Sequence, residues 1–218
     1  MRMYNPEWEA IRHSELISPC TDLQFDLEGS SIPADHGQSL YDALIACLPE
    51  LGNLAELAVH PVAGAPSGRD DTLVLNRRTK LFLRIPSAQV ELALQLCGCQ
   101  LETPAGRLKI GSAKCRPLLP FPELHSPLIV LGTHDEIEFM ETVRQHLALL
   151  DIQGVGLICN KRRTITTPAG EYSGFGLMVH GLSPAQSLRL QERGLGALRE
   201  RGCGVFVPHK SIKEVALD

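Results

Sequence analysis

The sequence predicts an α+β protein built from two βαββαβ units in tandem, and three observations predict it. The apolar period switches between two and about 3.6 residues in the same order twice along the chain. A run of prolines, Pro117, Pro120, Pro122 and Pro127, separates the two passages. Short basic segments, Asn76-Arg77-Arg78-Thr79 and Asn160-Lys161-Arg162-Arg163-Thr164, recur at corresponding places and read as hairpin tips.

In the first unit, Asp22 to Leu27 alternates as a half-buried strand does. A helical pattern follows at Leu40, Ala43, Leu44, Cys47, Leu48 and Leu51, with Asp35 and Gln38 spaced as a capping box. Leu57 to Val62 is strand-like, Gly64 to Gly68 is a loop, and Thr72 to Leu75 and Lys80 to Ile85 flank a polar turn. Ser87 opens a second helix that ends near Leu96, and Arg107 to Leu118 supplies the closing strand. Beyond the prolines, Leu128 to Gly132 is a short apolar strand. Asp135 to Leu150 is a helix with Ile137, Met140, Val143, Leu147 and Leu150 on one face and acids in its first turn, as the helix dipole favours. Val155 to Cys159 and Phe175 to Val179 pair as a hairpin. Ser183-Pro184 caps a helix through Arg193, and Cys203 to Val207 is the last strand. Two units of roughly 100 residues are the simplest account of this order.

Composition narrows the function. With 44% hydrophobic residues among 218, the chain has material for a real core. It shows no apolar run long enough to span a membrane and no signal-peptide pattern, which predicts a cytoplasmic protein. Seven cysteines lack framework spacing and read as reduced thiols, and neither a C-x-x-C nor an H-x(3–5)-H pair suggests a metal. The net charge of −4 argues against a nucleic-acid partner, but its distribution argues for one. Arg77, Arg78, Lys80, Arg84, Arg107, Lys109, Lys114 and Arg116 face only Glu91 and Glu102 in the same stretch, so one surface can be strongly positive.

The sharpest local signal is Gly194-Leu-Gly196-Ala-Leu-Arg199-Glu-Arg201-Gly202-Cys-Gly204. Two G-x-G pairs permit positive φ and a close approach of backbone N–H groups to an anion, with Arg199 and Arg201 between them. A helix-capping glycine, Gly194, followed by a tight connection is the competing reading. The order helix, loop, strand rules out a dinucleotide fingerprint and a Walker loop.

This pattern, with Leu195 and Cys203 in its apolar slots, resembles the glycine-rich loop of the RAMP superfamily. Within it the resemblance is to the CRISPR-associated repeat-processing endoribonucleases, the sixth Cas family. Phe25-Asp26-Leu27, Pro33-Ala34-Asp35-His36, His60-Pro61, Gly64-Ala65-Pro66-Ser67-Gly68, Arg77-Arg78-Thr79, His180-Gly181-Leu182-Ser183, Ser187 to Gly194 and Val207-Pro208-His209-Lys210-Ser211 are similar to the Myxan-type branch. The resemblance implies tandem ferredoxin-like (RRM-like) domains, taken here as residues 18–120 and 126–212. It further implies binding of the repeat stem-loop of CRISPR precursor RNA, cofactor-free and metal-independent cleavage to mature crRNA, and retention in a Cascade-type effector. A catalytically inactive crRNA-binding subunit of the same fold is the alternative.

Metal-free RNA cleavage uses the 2′-hydroxyl as nucleophile and needs a base, for which histidine is suited by its pKa of about 6.5. The family's catalytic histidine sits near the start of the first helix, which implies His36. Tyr41 either helps to orient the hydroxyl or covers the surface. For RNA contact the candidates are Arg77, Arg78, Lys161, Arg162 and Arg163, the loop residues Gly194, Gly196, Arg199, Arg201, Gly202 and Gly204, and Lys210. A two-histidine phosphoesterase would carry H-x-[ST] in each half, whereas His60 precedes Pro61-Val62 and His180 precedes Gly181-Leu182.

Overall fold

The computed structural model describes residues 18–68 and 70–209. Along the first half run β1 (Cys20–Glu28), β2 (Ser31–Pro33), α1 (Gly37–Cys47), β3 (Ala58–Val59), β4 (Ala65–Pro66), β5 (Thr72–Val74) and β6 (Lys80–Pro86). Then come α2 (Val90–Ala93), β7 (Gln100–Thr103) and β8 (Gly106–Pro117). The second half holds β9 (Glu123–Ile129), α3 (Glu136–Leu149), β10 (Gly156–Thr167), β11 (Gly170–His180), α4 (Pro184–Arg193) and β12 (Val207–Pro208).

Both halves have the ferredoxin-like strand order, with the first strand of each unit in the interior. The first sheet runs β3-β6-β1-β8-β7 and the second β10-β11-β9-β12, while β2, β5 and β4 form a small third sheet. Strand alternation sends Leu23, Phe25 and Leu27 to one face, where with Leu81, Leu83 and Ile85 they pack under Leu40 and Leu44 of α1. Leu124, Ile129, Phe175, Leu177 and Val179 do the same under Phe139, Val143 and Leu147 of α3 and Leu190 of α4. The helices cover one face of each sheet.

Several elements differ from their sequence reading, each for a physical reason. The strand expected at Leu128 to Gly132 starts earlier, at Glu123, inside the proline-rich stretch. Pro127 falls at a register shift between β9 and β11, where its missing N–H removes no regular ladder bond. The helix expected from Ser87 to Leu96 is a chain of single turns, 3-10 then α then 3-10. Of the final strand, only Val207 and Pro208 join a sheet. Lys161 to Arg163 are not a hairpin tip. They lie within the long β10, whose turn to β11 comes at Pro168-Ala169, because a bulge at Asn160 and Lys161 absorbs two residues and lets pairing resume at Arg162.

The capping box at α1 does not form either. His36 is the N-cap residue and makes no side-chain cap. Asp35 Oδ2 instead accepts from the Thr166 N–H of β10 at 2.8 Å, and Gln38 Oε1 accepts from Arg201 Nε at 2.6 Å. Asp35 and the Gln38 carbonyl are thus engaged by the second domain, while the Gln38 amide donates to Asp42 of its own helix at 2.7 Å.

The two domains are joined most firmly at Arg84, whose residue is 1% exposed. Its Nε and Nη2 donate to Asp22 Oδ1 and Oδ2 at 2.7 and 2.9 Å within the first sheet. Its Nη1 donates across the interface to the carbonyls of Gln191 and Phe206 at 2.9 and 2.8 Å. Burial alone would raise the Asp22 pKa, but the His60 ring and the Arg84 guanidinium at its oxygens hold it far below the usual carboxylate range.

Replacing Arg84 with Leu leaves the Asp22 carboxylate facing a dry interface and two carbonyls without donors. Urea unfolding should show a loss of about 3 kcal/mol, with Arg84→Lys falling between because an ammonium cannot reproduce the fork. A loss under 1 kcal/mol for the leucine variant would remove this contact from its central place.

Candidate active site and nucleic-acid interface

The amino end of α1 is where the two domains bring chemistry together. His36 is 7% exposed. Its Nε2 accepts the Val62 N–H at 2.9 Å, so its Nδ1 carries the proton and donates to the Pro33 carbonyl at 3.0 Å. Burial pushes its pKa below the ordinary histidine value, against the opposing pull of the Pro33 and Ala34 backbone and of Asp35. The ring is therefore neutral at pH 7, but both nitrogens are engaged by backbone. The next residue, Gly37, has no room for a Cβ, which would run into the Arg201 carbonyl and the Ile165 side chain. The guanidinium of Arg201 lies 4.7 Å from the centre of the Tyr41 ring.

The glycine-rich segment is a wedge between the domains. Gly194 caps α4 at φ +63°, so the helix-cap reading of that residue is the observed one. The segment then runs along β9 on the side where β12 pairs, beyond the end of that short strand. Ala197 N–H donates to the Val130 carbonyl at 3.0 Å and Gly204 N–H to the Leu128 carbonyl at 2.7 Å. Leu195, Arg201, Gly202 and Cys203 also donate their N–H groups within the segment. A Cβ on Gly196 would meet the Val130 carbonyl, and one on Gly202 would press on Pro61 of the first domain at 3.2 Å. Arg199 Nη2 donates to the Glu192 carbonyl, while Arg201 pairs with Glu200 and Gln38. These N–H donors of the segment are spent on protein, and its glycines serve close packing.

The cations of β10 are free by comparison. Lys161, Arg162, Arg163 and Thr164 are exposed in succession. Among the described residues, Lys161 and Arg163 make no ion pair. Arg162 Nη2 donates to Ser173 Oγ at 3.1 Å and lies 3.4 Å from His134 Nδ1. His134, exposed before α3 and hydrogen-bonded to Ser173, is a second histidine beside this cationic strand. Sequence reasoning passed over it because His134 and Ser173 are 39 residues apart and only strand pairing joins them. Asp35 ties His36 to the same strand through Thr166, about 10 Å along β10 from Arg163 at the usual strand rise.

Arg77 and Arg78 are exposed in the turn between β5 and β6 and make no ion pair among the described residues, but the two strands belong to different sheets, so this turn is a crossover between sheets and not the hairpin tip expected there. Arg84, counted with the basic surface in the sequence, is buried instead. Lys210 lies outside the described residues. Among the described residues no three His, Cys, Asp or Glu side chains are gathered for a metal ion, and no helix is long and apolar enough to cross a membrane.

The Cas6 CRISPR family model matches residues 21–211. The chain belongs to the Cas6 family. The CRISPR-associated endonuclease Cas6 of Myxococcus xanthus (strain DK1622) is 35% identical over 188 residues, covering 86% of this chain and 80% of that protein. Among solved structures, a Cas6-related protein of Pyrococcus furiosus superposes with a TM-score of 0.64 at 13% identity, over 86% of this chain and 98% of that one. A RAMP protein described as binding different RNA substrates gives 0.64 at 11% identity, over 85% and 98%. These likenesses show the tandem ferredoxin-like fold.

Within that Cas6 fold the glycine wedge yields a stability prediction. Gly204 and Gly181 both have positive φ, +64° and +78°, but a Cβ on Gly204 would strike the Leu195 carbonyl whereas one on Gly181 meets nothing within 4 Å. Gly181→Ala should cost only the left-handed backbone penalty of about 1–2 kcal/mol. Gly204→Ala should cost clearly more by thermal or urea unfolding, and equal losses would refute the packing role.

Proposed function

We propose that this protein is a metal-independent endoribonuclease that binds the repeat stem-loop of CRISPR precursor RNA and cuts it to mature crRNA by attack of a 2′-hydroxyl. The observation that carries the reading is the clamp of the α1 amino end onto β10. In a Cas6 chain it joins the helix start that carries the buried, neutral His36 to the strand that carries an exposed run of three cations. RNA supplies its own nucleophile, so the protein needs a base for the 2′-hydroxyl and positive charge for the phosphate. His36 is the proposed base. Its Nε2 lone pair, held by the Val62 N–H in the unliganded protein, has to be turned to the substrate for that role. Lys161, Arg162 and Arg163, with Arg77 and Arg78 from the first domain, are the proposed phosphate contacts. The proposal extends to Arg199, Arg201, the loop glycines and Lys210 as RNA neighbours, and to retention of the product in a Cascade-type effector in the cytoplasm.

One observation favours the second reading, an RNA-holding subunit that does not cut: both ring nitrogens of His36 already have backbone partners. Incubation of repeat RNA with the protein in EDTA separates the two. Under the first reading, cleavage persists and leaves a 2′,3′-cyclic phosphate and a 5′-hydroxyl, and RNA with a 2′-deoxy nucleotide at the cut stays whole.

His36→Ala should slow cleavage by about 10² to 10⁴ while RNA affinity stays within a few-fold, since a base acts mainly in the transition state. The wild-type rate should hold on its plateau down to about pH 6.5, the unperturbed histidine value, and fall only below it. The sign follows from burial: the lowered pKa keeps the base form present to lower pH. Cleavage at near wild-type rate by a folded His36→Ala protein, together with its loss in His134→Ala, would move the base to His134. A separate measurement concerns the strand. Arg162→Glu with Arg163→Glu should weaken RNA binding and flatten its salt dependence by about 0.7 to 0.9 log units per phosphate contact removed. An unchanged slope would remove β10 from the interface.

A further inference from the structure

The outward face of the first sheet carries an arrangement that the cleavage chemistry does not use. Register aligns its side chains in rungs across β6, β1 and β8. Arg84, Asp22 and Arg116 make the first rung, Phe82, Gln24 and Lys114 the second, and Lys80 and Asp26 the start of the third. The first rung meets the second domain through Arg84. In the third, Lys80 Nζ and Ser112 Oγ both donate to the Asp26 carboxylate, at 2.7 and 2.6 Å. The middle rung is different. Phe82 is a partly exposed aromatic between the inward-facing Leu81 and Leu83, with the His60 ring stacked beside it at 5.5 Å and 29° between planes. Arg116 Nε donates to Gln24 Oε1 at 3.0 Å, which fixes that amide. Lys114 is exposed and makes no ion pair among the described residues.

We propose that this middle rung is a platform for an unpaired nucleotide, in single-stranded RNA adjoining the repeat hairpin, with the base stacked on Phe82 and its phosphate at Lys114. The inference rests on the RNA-binding reading above and adds a separate subsite to it. An aromatic ring in the open face of an RRM-like sheet offers a base a flat apolar partner whatever its sequence. Phe82 and Lys114 stand two strands apart, about 10 Å, which is the scale of one nucleotide. Charge selects the partner. The acids of the rungs on either side, Asp22 and Asp26, are both bonded to cations, so neither is left to repel a phosphate at the middle rung. Gln24, held by Arg116, keeps its amide NH2 group for a base edge.

The test compares two RNAs, the repeat hairpin alone and the same hairpin with a short single-stranded extension, on wild type and on Phe82→Leu. Leucine keeps an apolar side chain against His60, so the fold is retained, and circular dichroism checks this. Wild type should bind the extended RNA more tightly. Phe82→Leu should lose about 5-fold or more on the extended RNA, from the loss of one stacked base, and nothing on the hairpin alone. Lys114→Ala should lower the salt slope for the extended RNA only, by about 0.7. A 2-aminopurine placed in the extension should be quenched on binding by wild type and less so by Phe82→Leu. Equal affinity of wild type for the two RNAs, or an equal loss on both in Phe82→Leu, overturns this subsite while leaving RNA binding intact. Failure of wild type to bind either RNA overturns the RNA-binding reading and this inference with it.

Discussion

A guanidinium that cannot lose its proton is buried between the first sheet and α4, and the relative placement of the domains depends on satisfying it. Arginine stays charged in any protein environment and presents its donors in a rigid fork. Arg84 meets that demand with the Asp22 carboxylate from its own sheet and with two carbonyls, of Gln191 and Phe206, from the other domain. Neither domain alone supplies the full set. The contact is directional, unlike an apolar interface, so it fixes the angle at which α4 and the glycine-rich segment meet the first sheet.

Once that angle is set, the rest of the interface follows from close approach. The glycine-rich segment lies against the edge of β9 on one side and against β3 and α1 on the other, and it is narrow enough only because Cβ atoms are missing at the contacts. Leu198, at φ +64°, is its non-glycine residue in the left-handed region, held there by the hydrogen bonds that Arg201 and Cys203 donate to its carbonyl. The wedge carries Arg201 to Gln38 and Tyr41 of α1, and β10 carries Thr166 to Asp35. The amino end of α1 is thereby held at three points by the second domain. Local capping rules lose to these contacts because Asp35 and Gln38 each gain a partner that is itself fixed.

Electrostatics explains how an acidic chain holds a basic surface. Asp22 at the domain interface is paired with Arg84, and Asp26 on the open sheet with Lys80. On β10, in contrast, three cations follow one another on an edge strand with no acid among them. Desolvation works on the histidines in the same region of the molecule, lowering the pKa of both His36 and His60 and keeping those rings neutral near pH 7.

The sequence by itself determined the secondary-structure order, the apolar face of each sheet and the duplication, because these depend on local periodicity and on the positions of proline and glycine. It also located the glycine motif and the histidine at the start of the first helix. Tertiary structure decided what those residues touch. Lys161 to Arg163 became strand because a bulge placed opposite Gly176 let pairing continue past them, and nothing within the tripeptide announces that. Arg84 and Arg162 look alike in sequence, yet one is buried and the other exposed, since burial follows from which sheet face meets the second domain. His36 and Val62, His134 and Ser173, and Asp35 and Thr166 are joined across 26, 39 and 131 residues. Contacts at such separations are set by strand pairing and domain docking, which a local pattern of residues does not encode.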